Sequence, residues 1–440
     1  MSRATVRVPK DEELRWILRR AVVEAIPEDE FVEALRSGRC LRLKMGFDPS
    51  APDLTLGHAV GLRKLRQLQE LGHQVVVIVG DWTARIGDPS GQSQTRPMLT
   101  AEEVKANAET YLRQFFMVVD RERTEIRWQS EWFDKFDLET VVRLAARFTV
   151  AQMLQRQEYS ERFAAHKPIG LHEFLYPLLQ AYDSVAIEAD VEVGGTDQKF
   201  NLLVARDLQA MMGQRPQQCF LVPLLVGTDG TMKMSKSLGN YIALEDPPQE
   251  MYGKVMSLPD DVMMDYYELV TDVPDKEVAE IGENLRTRSL NPMELKMRLA
   301  REIVEQFHSD EAAQAAEEHF TRVFRERELP EQILEFRMSV SRDFMPTRLT
   351  SPSWRQIGQP PSEEVLYYQN SIPHILRAAG LVSSISEAMR LIKQGAVERG
   401  EAARFERVEE QFAPVYDGMI IRVGKRRFLR IVDADKQGGS

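Results

Sequence analysis

Two stretches hold residues able to handle a polyphosphate. In "DGTMKMSKSLGN" at 229–240, Lys233 and Lys236 flank Met234 and Ser235, with glycines and small polar residues around them. Such a segment reads as a mobile loop. Two ammonium groups and two hydroxyls on it can close over phosphates and neutralise charge as it develops. A solvated basic turn is the plain alternative for any KxxK. In "SAPDLTLGHAVG" at 50–61, Gly57 and His58 open a predicted helix, three places after Thr55. Free N–H groups and the helix dipole make such an end a natural phosphate site, although a lone histidine is more often structural.

The elements around these stretches have a recognisable order. Residues 41–48 read as a strand and its exit, 57–72 as a helix with Leu62, Leu65 and Leu68 at helical spacing, and "QVVVIVGD" at 74–81 as a strand buried on both faces. Strand, helix, strand makes a βαβ unit, and "CFLVPLLVG" at 219–227 supplies another strand. The expected fold is α/β, an open parallel sheet whose ligands gather at the carboxyl ends of its strands. From 241 to 340 helix formers dominate, 345–362 is rich in Pro, Ser and Gly, and the rest reads as helices followed by short strands. The expected division is 1–240, 241–344, a linker at 345–364, and 365–440. Ser384 and Glu387 have the spacing of a capping box.

Bulk properties narrow the class. The chain of 440 residues has 43% hydrophobic and 28% charged residues, within the range of ordinary globular proteins. Two cysteines, Cys40 and Cys219, offer neither a disulfide framework nor a zinc-ligand spacing, and suit a reducing cytoplasm. No secretory signal or membrane-spanning run is read, so no membrane is an expected partner. DNA is not expected either, because a protein living by non-specific DNA contact is usually basic. A net charge of −11 leaves room for a local RNA-binding patch. No P-loop, nucleophile elbow or metal-ligand cluster is present in the sequence.

"PDLTLGH" followed far downstream by "KMSKS" resembles the two ATP-binding signatures of class I aminoacyl-tRNA synthetases. "IGDPSG" at 86–91, "YPLLQAYD" at 176–183 and "VGGTDQKFN" at 193–201 are similar to the bacterial tyrosine-specific branch that keeps KMSKS itself. The resemblance implies a Rossmann-like catalytic domain, an α-helical domain and a small α+β S4-like RNA-binding domain. It implies that ATP, with Mg2+ accompanying it and no protein-bound metal, activates tyrosine to the adenylate, and that tRNA(Tyr) then takes the tyrosyl group. It also implies a cytoplasmic homodimer.

Residue by residue, the resemblance assigns His58, Lys233, Lys236, Thr55 and Arg96 to catalysis. It assigns Ser50, Gly57, His58, Gly195, Asp197, Ser235 and Lys236 to ATP. Asp48, Asp88, Tyr176, Gln180 and Gln198 would surround tyrosine, with Asp183 accepting from the phenol. Lys393, Lys425, Arg426 and Arg427 are expected to touch tRNA. Thr55 stands where the signature has its first histidine and cannot carry positive charge. Lys44 stands where the shorter branch has a phenol-contacting tyrosine, Gln92 replaces a loop lysine, and Glu192 replaces a glutamine. The sister tryptophan enzyme and an RNA-binding paralogue without catalysis remain as alternatives.

Overall fold

The computed structural model describes residues 6–49, 53–87, 100–287, 289–322, 333–338, 371–401, 404–411, 415–424 and 427–434. Ser50, Asp88, Gln92, Arg96, Lys425 and Arg426, and the expected linker at 345–364, lie outside these residues. The chain divides into two compact units, Met1–Ala316 and Glu317–Ser440.

The first unit is built on strands β1 (Glu24–Ile26), β2 (Arg42–Phe47), β3 (Gln74–Val79), β4 (Thr124–Trp128), β5 (Val191–Gly195) and β6 (Gln218–Val222). Their order is β1-β6-β5-β2-β3-β4, parallel except for β1, which runs antiparallel to β6 at the edge. Five of the six β3 residues are buried, as expected of a β-branched strand covered by helices on both sides.

Sequence order reverses between β2 and β5. They pair at only two positions, Leu43↔Val191 and Lys44↔Glu192. Beyond that fork Met45, Gly46 and Phe47 on one strand and Val193, Gly194 and Gly195 on the other line a cavity. A parting at the strand carboxyl ends, at the reversal of strand order, is where α/β sheets bind ligands.

Four helices frame the cavity: α1 (Leu56–Glu70), α2 (Ala101–Phe115), α3 (Leu175–Ala186) and α4 (Lys199–Met211). The turn after α1 contains Gly72 at φ 102°, a backbone geometry that suits glycine. After β6 come helices Pro248–Met256, Met263–Val270, Asp275–Thr287, Pro292–Phe307 and Asp310–Phe320.

The second unit packs helices Ile372–Ala378 and Ile385–Lys393 against a five-stranded sheet. Its strands are β7 (Leu334–Met338), β8 (Val397–Glu401), β9 (Arg404–Arg407), β10 (Ile420–Val423) and β11 (Arg427–Asp433), in the order β7-β11-β10-β8-β9. Strand β7 falls in the stretch read as helical. It is extended because it pairs in parallel with β11, a partner almost a hundred residues downstream that no local pattern announces. Ser384 caps its helix by accepting from Glu387 N–H at 3.1 Å. The Glu387 carboxylate instead takes Ser383 N–H at 2.8 Å and the Ser383 hydroxyl at 2.7 Å.

Candidate active site

The cavity has a volume of about 500 Å³. His58, Thr55, Gly57, Lys233, Lys236, Ser235, Gly195, Asp197, Asp48, Tyr176, Gln180, Asp183 and Gln198 all line it, drawn from five parts of the chain. These are the expected site residues of the first unit that fall among the described residues.

The first wall is the start of α1. Thr55 is its N-cap and is 2% exposed. Its backbone N–H donates to His58 Nδ1 at 3.1 Å, and its hydroxyl lies 3.0 Å from the same nitrogen. Nδ1 is therefore the acceptor, and the single ring hydrogen sits on Nε2. Burial, then Lys236 and Lys233, push the His58 pKa down to about 4, so the ring is a neutral donor at pH 7. Thr55 thus has a partner within its own helix end. The start of α1 is also tied to the chain leaving the lysine loop, through Leu56 N–H to Ile242 O and Leu244 N–H to Leu54 O, both 3.0 Å.

The second wall is the loop at 225–240. Lys233 Nζ lies 3.1 Å from Asp197 Oδ2. Lys236 Nζ donates to Asp53 O at 2.5 Å and to the Tyr111 hydroxyl at 3.0 Å, and stands 5.1 Å from that ring's centroid. The loop is held by Asn240, which is 4% exposed. Its carboxamide oxygen accepts Ser235 N–H at 2.8 Å, and its nitrogen donates to Asp229 Oδ2 at 2.8 Å and Lys233 O at 3.2 Å. Gly227 lies flat against this carboxamide: a Cβ there would stand 2.3 Å from Asn240 Nδ2.

The third wall is α3, which presents Tyr176, Gln180 and Asp183 at the i, i+4, i+7 spacing of one helical face. Asp48 accepts from the Tyr176 hydroxyl at 2.8 Å and from Thr83 Oγ1 at 2.6 Å. Asp183 is 2% exposed. It accepts from Gln129 Nε2 at 2.8 Å and Trp132 Nε1 at 3.2 Å. Burial pushes its pKa up to about 7; the Lys44 charge and the Gln129 donor work in the opposite direction. Below the fork, Lys44 Nζ and Glu192 Oε1 form a buried ion pair at 3.1 Å.

Sequence reasoning does not reach Thr83, Tyr111, Gln129 and Trp132, which touch site groups, or Asn240 behind the loop. Only Asn240 carries a local signal, since "SLGN" ends the loop. In the second unit Lys393 ends its helix and Arg427 opens β11; both are exposed. One Arg427 nitrogen donates to Leu381 O.

The sequence profile of the tRNA synthetases class I (W and Y) matches residues 36–325. A protein named tyrosine–tRNA ligase from Dehalococcoides mccartyi strain CBDB1 is 53% identical over 422 residues, covering 96% of this chain and 99% of that protein. One of the same name from Thermotoga maritima is 47% identical over 422 residues, with 96% and 97% covered. A crystal structure of tyrosyl-tRNA synthetase complexed with L-tyrosine from Archaeoglobus fulgidus aligns with a TM-score of 0.56 at 25% identity, over 70% of this chain and 99% of that one.

Proposed function

The chain belongs to the class I tRNA synthetases (W and Y), and from that premise we propose how its cavity performs tyrosine–tRNA ligation. The tyrosine carboxylate attacks the α-phosphate of ATP, pyrophosphate leaves, and the adenylate's tyrosyl group passes to the terminal adenosine of tRNA(Tyr). No protein nucleophile is needed. The residues align the reactants and meet charge where it develops.

Asp48, Tyr176 and Gln180 take the α-ammonium, joined by Asp88 and Gln198. Asp183 accepts from the phenol. Asp197 and the backbone at Gly195 take the ribose. Gly57 leaves room for the nucleotide, and His58 donates from Nε2. Lys233 and Lys236, with Ser50, Ser235 and Arg96, hold the phosphates as pyrophosphate departs. Thr55 acts through His58. ATP brings Mg2+ as part of the substrate; among the described residues no group of three or more His, Cys, Asp or Glu is placed to hold a metal ion.

The observation that carries this reading is Asp183, a buried acceptor in the same cavity as the two loop lysines. A phenylalanine side chain would leave that acceptor without a hydroxyl. Tyrosine-specific synthetases as a class discriminate against phenylalanine by about 10⁵, a general figure for the enzyme type that this cavity is expected to share. Tyrosine-dependent exchange of label between pyrophosphate and ATP tests it. Exchange with tryptophan alone would instead identify the sister activity, and no exchange with any amino acid would leave an RNA-binding protein.

Homodimerisation is proposed from the family resemblance; Leu138 at 79%, Phe163 at 63% and Leu171 at 84% exposure are apolar side chains open to a partner. Sedimentation of the chain and of Phe163→Asp checks it. Lys393 and Arg427, with Lys425 and Arg426, are proposed to contact tRNA. A cytoplasmic location fits the two free cysteines, and among the described residues no helix is long and apolar enough to cross a membrane.

A further inference from the structure

Lys44 and Glu192, two departures from the related pattern, are one structural feature. They are register partners at the last pairing before β2 and β5 part. Both are buried, at 0% and 1% exposure. Glu192 Oε1 takes Lys44 Nζ at 3.1 Å and Gln180 Nε2 at 3.1 Å. Its Oε2 takes Gln217 Nε2 at 2.5 Å and Ser184 Oγ at 3.2 Å. Lys44 also donates to Gln180 O at 2.8 Å and Ser184 Oγ at 2.7 Å. A buried carboxylate is costly unless paired and hydrogen-bonded, and here both conditions are met.

The consequence reaches the cavity through Gln180. A carboxamide has a donor end and an acceptor end of nearly the same shape. An ammonium ion needs the oxygen; the nitrogen end would present hydrogens to a cation. Glu192 takes the nitrogen end. On the other side Asn201 Nδ2 donates to Gln180 Oε1 at 2.9 Å and to Gln198 Oε1 at 3.0 Å. The orientation of Asn201 is itself set by Arg156, whose Nη1 donates to its oxygen at 3.2 Å. Arg156 and Asn201 are 2% and 0% exposed. The chain of amides therefore runs from a group that only donates to one that only accepts. Reversing either amide would place donor against donor or acceptor against acceptor. One lone pair of the Gln180 oxygen is held by Asn201, and the other is free to serve a ligand cation.

We propose that Glu192, neutralised by Lys44, is a positioning residue for tyrosine selection: it fixes the Gln180 carboxamide with its oxygen toward the α-ammonium, so that the site selects amino acids over their deaminated analogues. This rests on the assignment of Gln180 to the ammonium. The free energy at stake is that of a hydrogen bond to a charged group.

The test compares binding of tyrosine and of hydroxyphenylpropanoate, its deaminated analogue, by calorimetry in the full chain. Glu192→Leu, which removes the acceptor, should weaken tyrosine by about tenfold or more and leave the analogue within about twofold. The double variant Lys44→Met/Glu192→Leu, which buries no unpaired charge, should show the same selective loss and is read in its place if the single variant does not fold. Equal weakening of both ligands would overturn the proposal, because Glu192 would then be supporting the pocket as a whole. Unchanged tyrosine binding in both variants, with a loss in Gln180→Leu, would also overturn it while sparing the assignment of Gln180. If Gln180→Leu changes neither ligand, that underlying assignment falls, and the proposal with it.

Discussion

At the scale of single residues, the site works through fixed hydrogens. His58 offers one hydrogen from Nε2 because Thr55 occupies Nδ1. His58→Ala should slow adenylate formation by about 10²–10³-fold, the cost of one transition-state donor. Thr55→Val should cost less than about tenfold, because the backbone N–H that holds Nδ1 survives. With the His58 pKa near 4, pre-steady-state adenylation should show no histidine inflection near pH 6.5; one that vanished in His58→Ala would contradict the neutral ring. Asp183 behaves differently. Its pKa is raised to about 7, so it ionises as pH rises from 6 to 8 and becomes the stronger acceptor for a phenol. Tyrosine affinity should rise over that range and be flat in Asp183→Asn. The stability sign is opposite: the folded chain holds a proton that the unfolded chain has released, so this group's contribution is present in acid and lost as pH climbs through 7. His58, Lys233, Lys236 and Asp183 are legible in sequence because their neighbours form motifs. Gln129 and Trp132 are not, because they meet Asp183 across 54 and 51 residues of chain.

At the scale of elements, the loop and α3 carry the site in different ways. The face of α3 is legible only through the resemblance that singles out Tyr176, Gln180 and Asp183; the helix then accounts for their i, i+4, i+7 spacing. The loop's composition is legible too, but not the hub on which it folds. Asn240 holds Ser235, Asp229 and Lys233 through one carboxamide, and only the folded backbone brings Gly227 under it. Gly227→Ala would drive a methyl into that carboxamide. The variant should lower the single-turnover adenylation rate by about tenfold or more, with tyrosine affinity intact, because loop order is needed chiefly in the transition state. A fall in tyrosine affinity instead would mean that the loop and α3 are not separable. The fork between β2 and β5 is not read from the sequence, which marks 41–48, 74–81 and 219–227 as strands but not β5, and neither is its pair of charges. A lysine and a glutamate inside hydrophobic strands read as isolated departures until strand register makes them partners.

At the scale of the whole molecule, the first unit holds every described residue assigned to tyrosine and ATP, and the second holds the exposed Lys393 and Arg427. Reversing both charges, Lys393→Glu with Arg427→Glu, should leave tyrosine-dependent exchange unchanged. It should raise the KM for tRNA in aminoacylation and flatten its dependence on salt, because lost phosphate contacts lower the salt slope. Unaltered tRNA kinetics would remove that surface from the interface. The broad plan of both units is readable from composition and periodicity; β7 is not, because its strand character depends on distant β11. The pairing of Lys233 with Asp197 also bears on how the idle protein meets its own product. Both side chains are partly exposed, at 37% and 23%, so the contact is weak, at about 1 kcal/mol or less. A free pyrophosphate ion must outbid Asp197 for that lysine unaided. On the proposed assignment of Asp197 to the ribose, a whole nucleotide would engage that carboxylate and release the lysine in the same event. The same proposed role would make the pairing a small bias toward an intact nucleotide over the fragment it leaves behind, no larger than the energy of that weak contact.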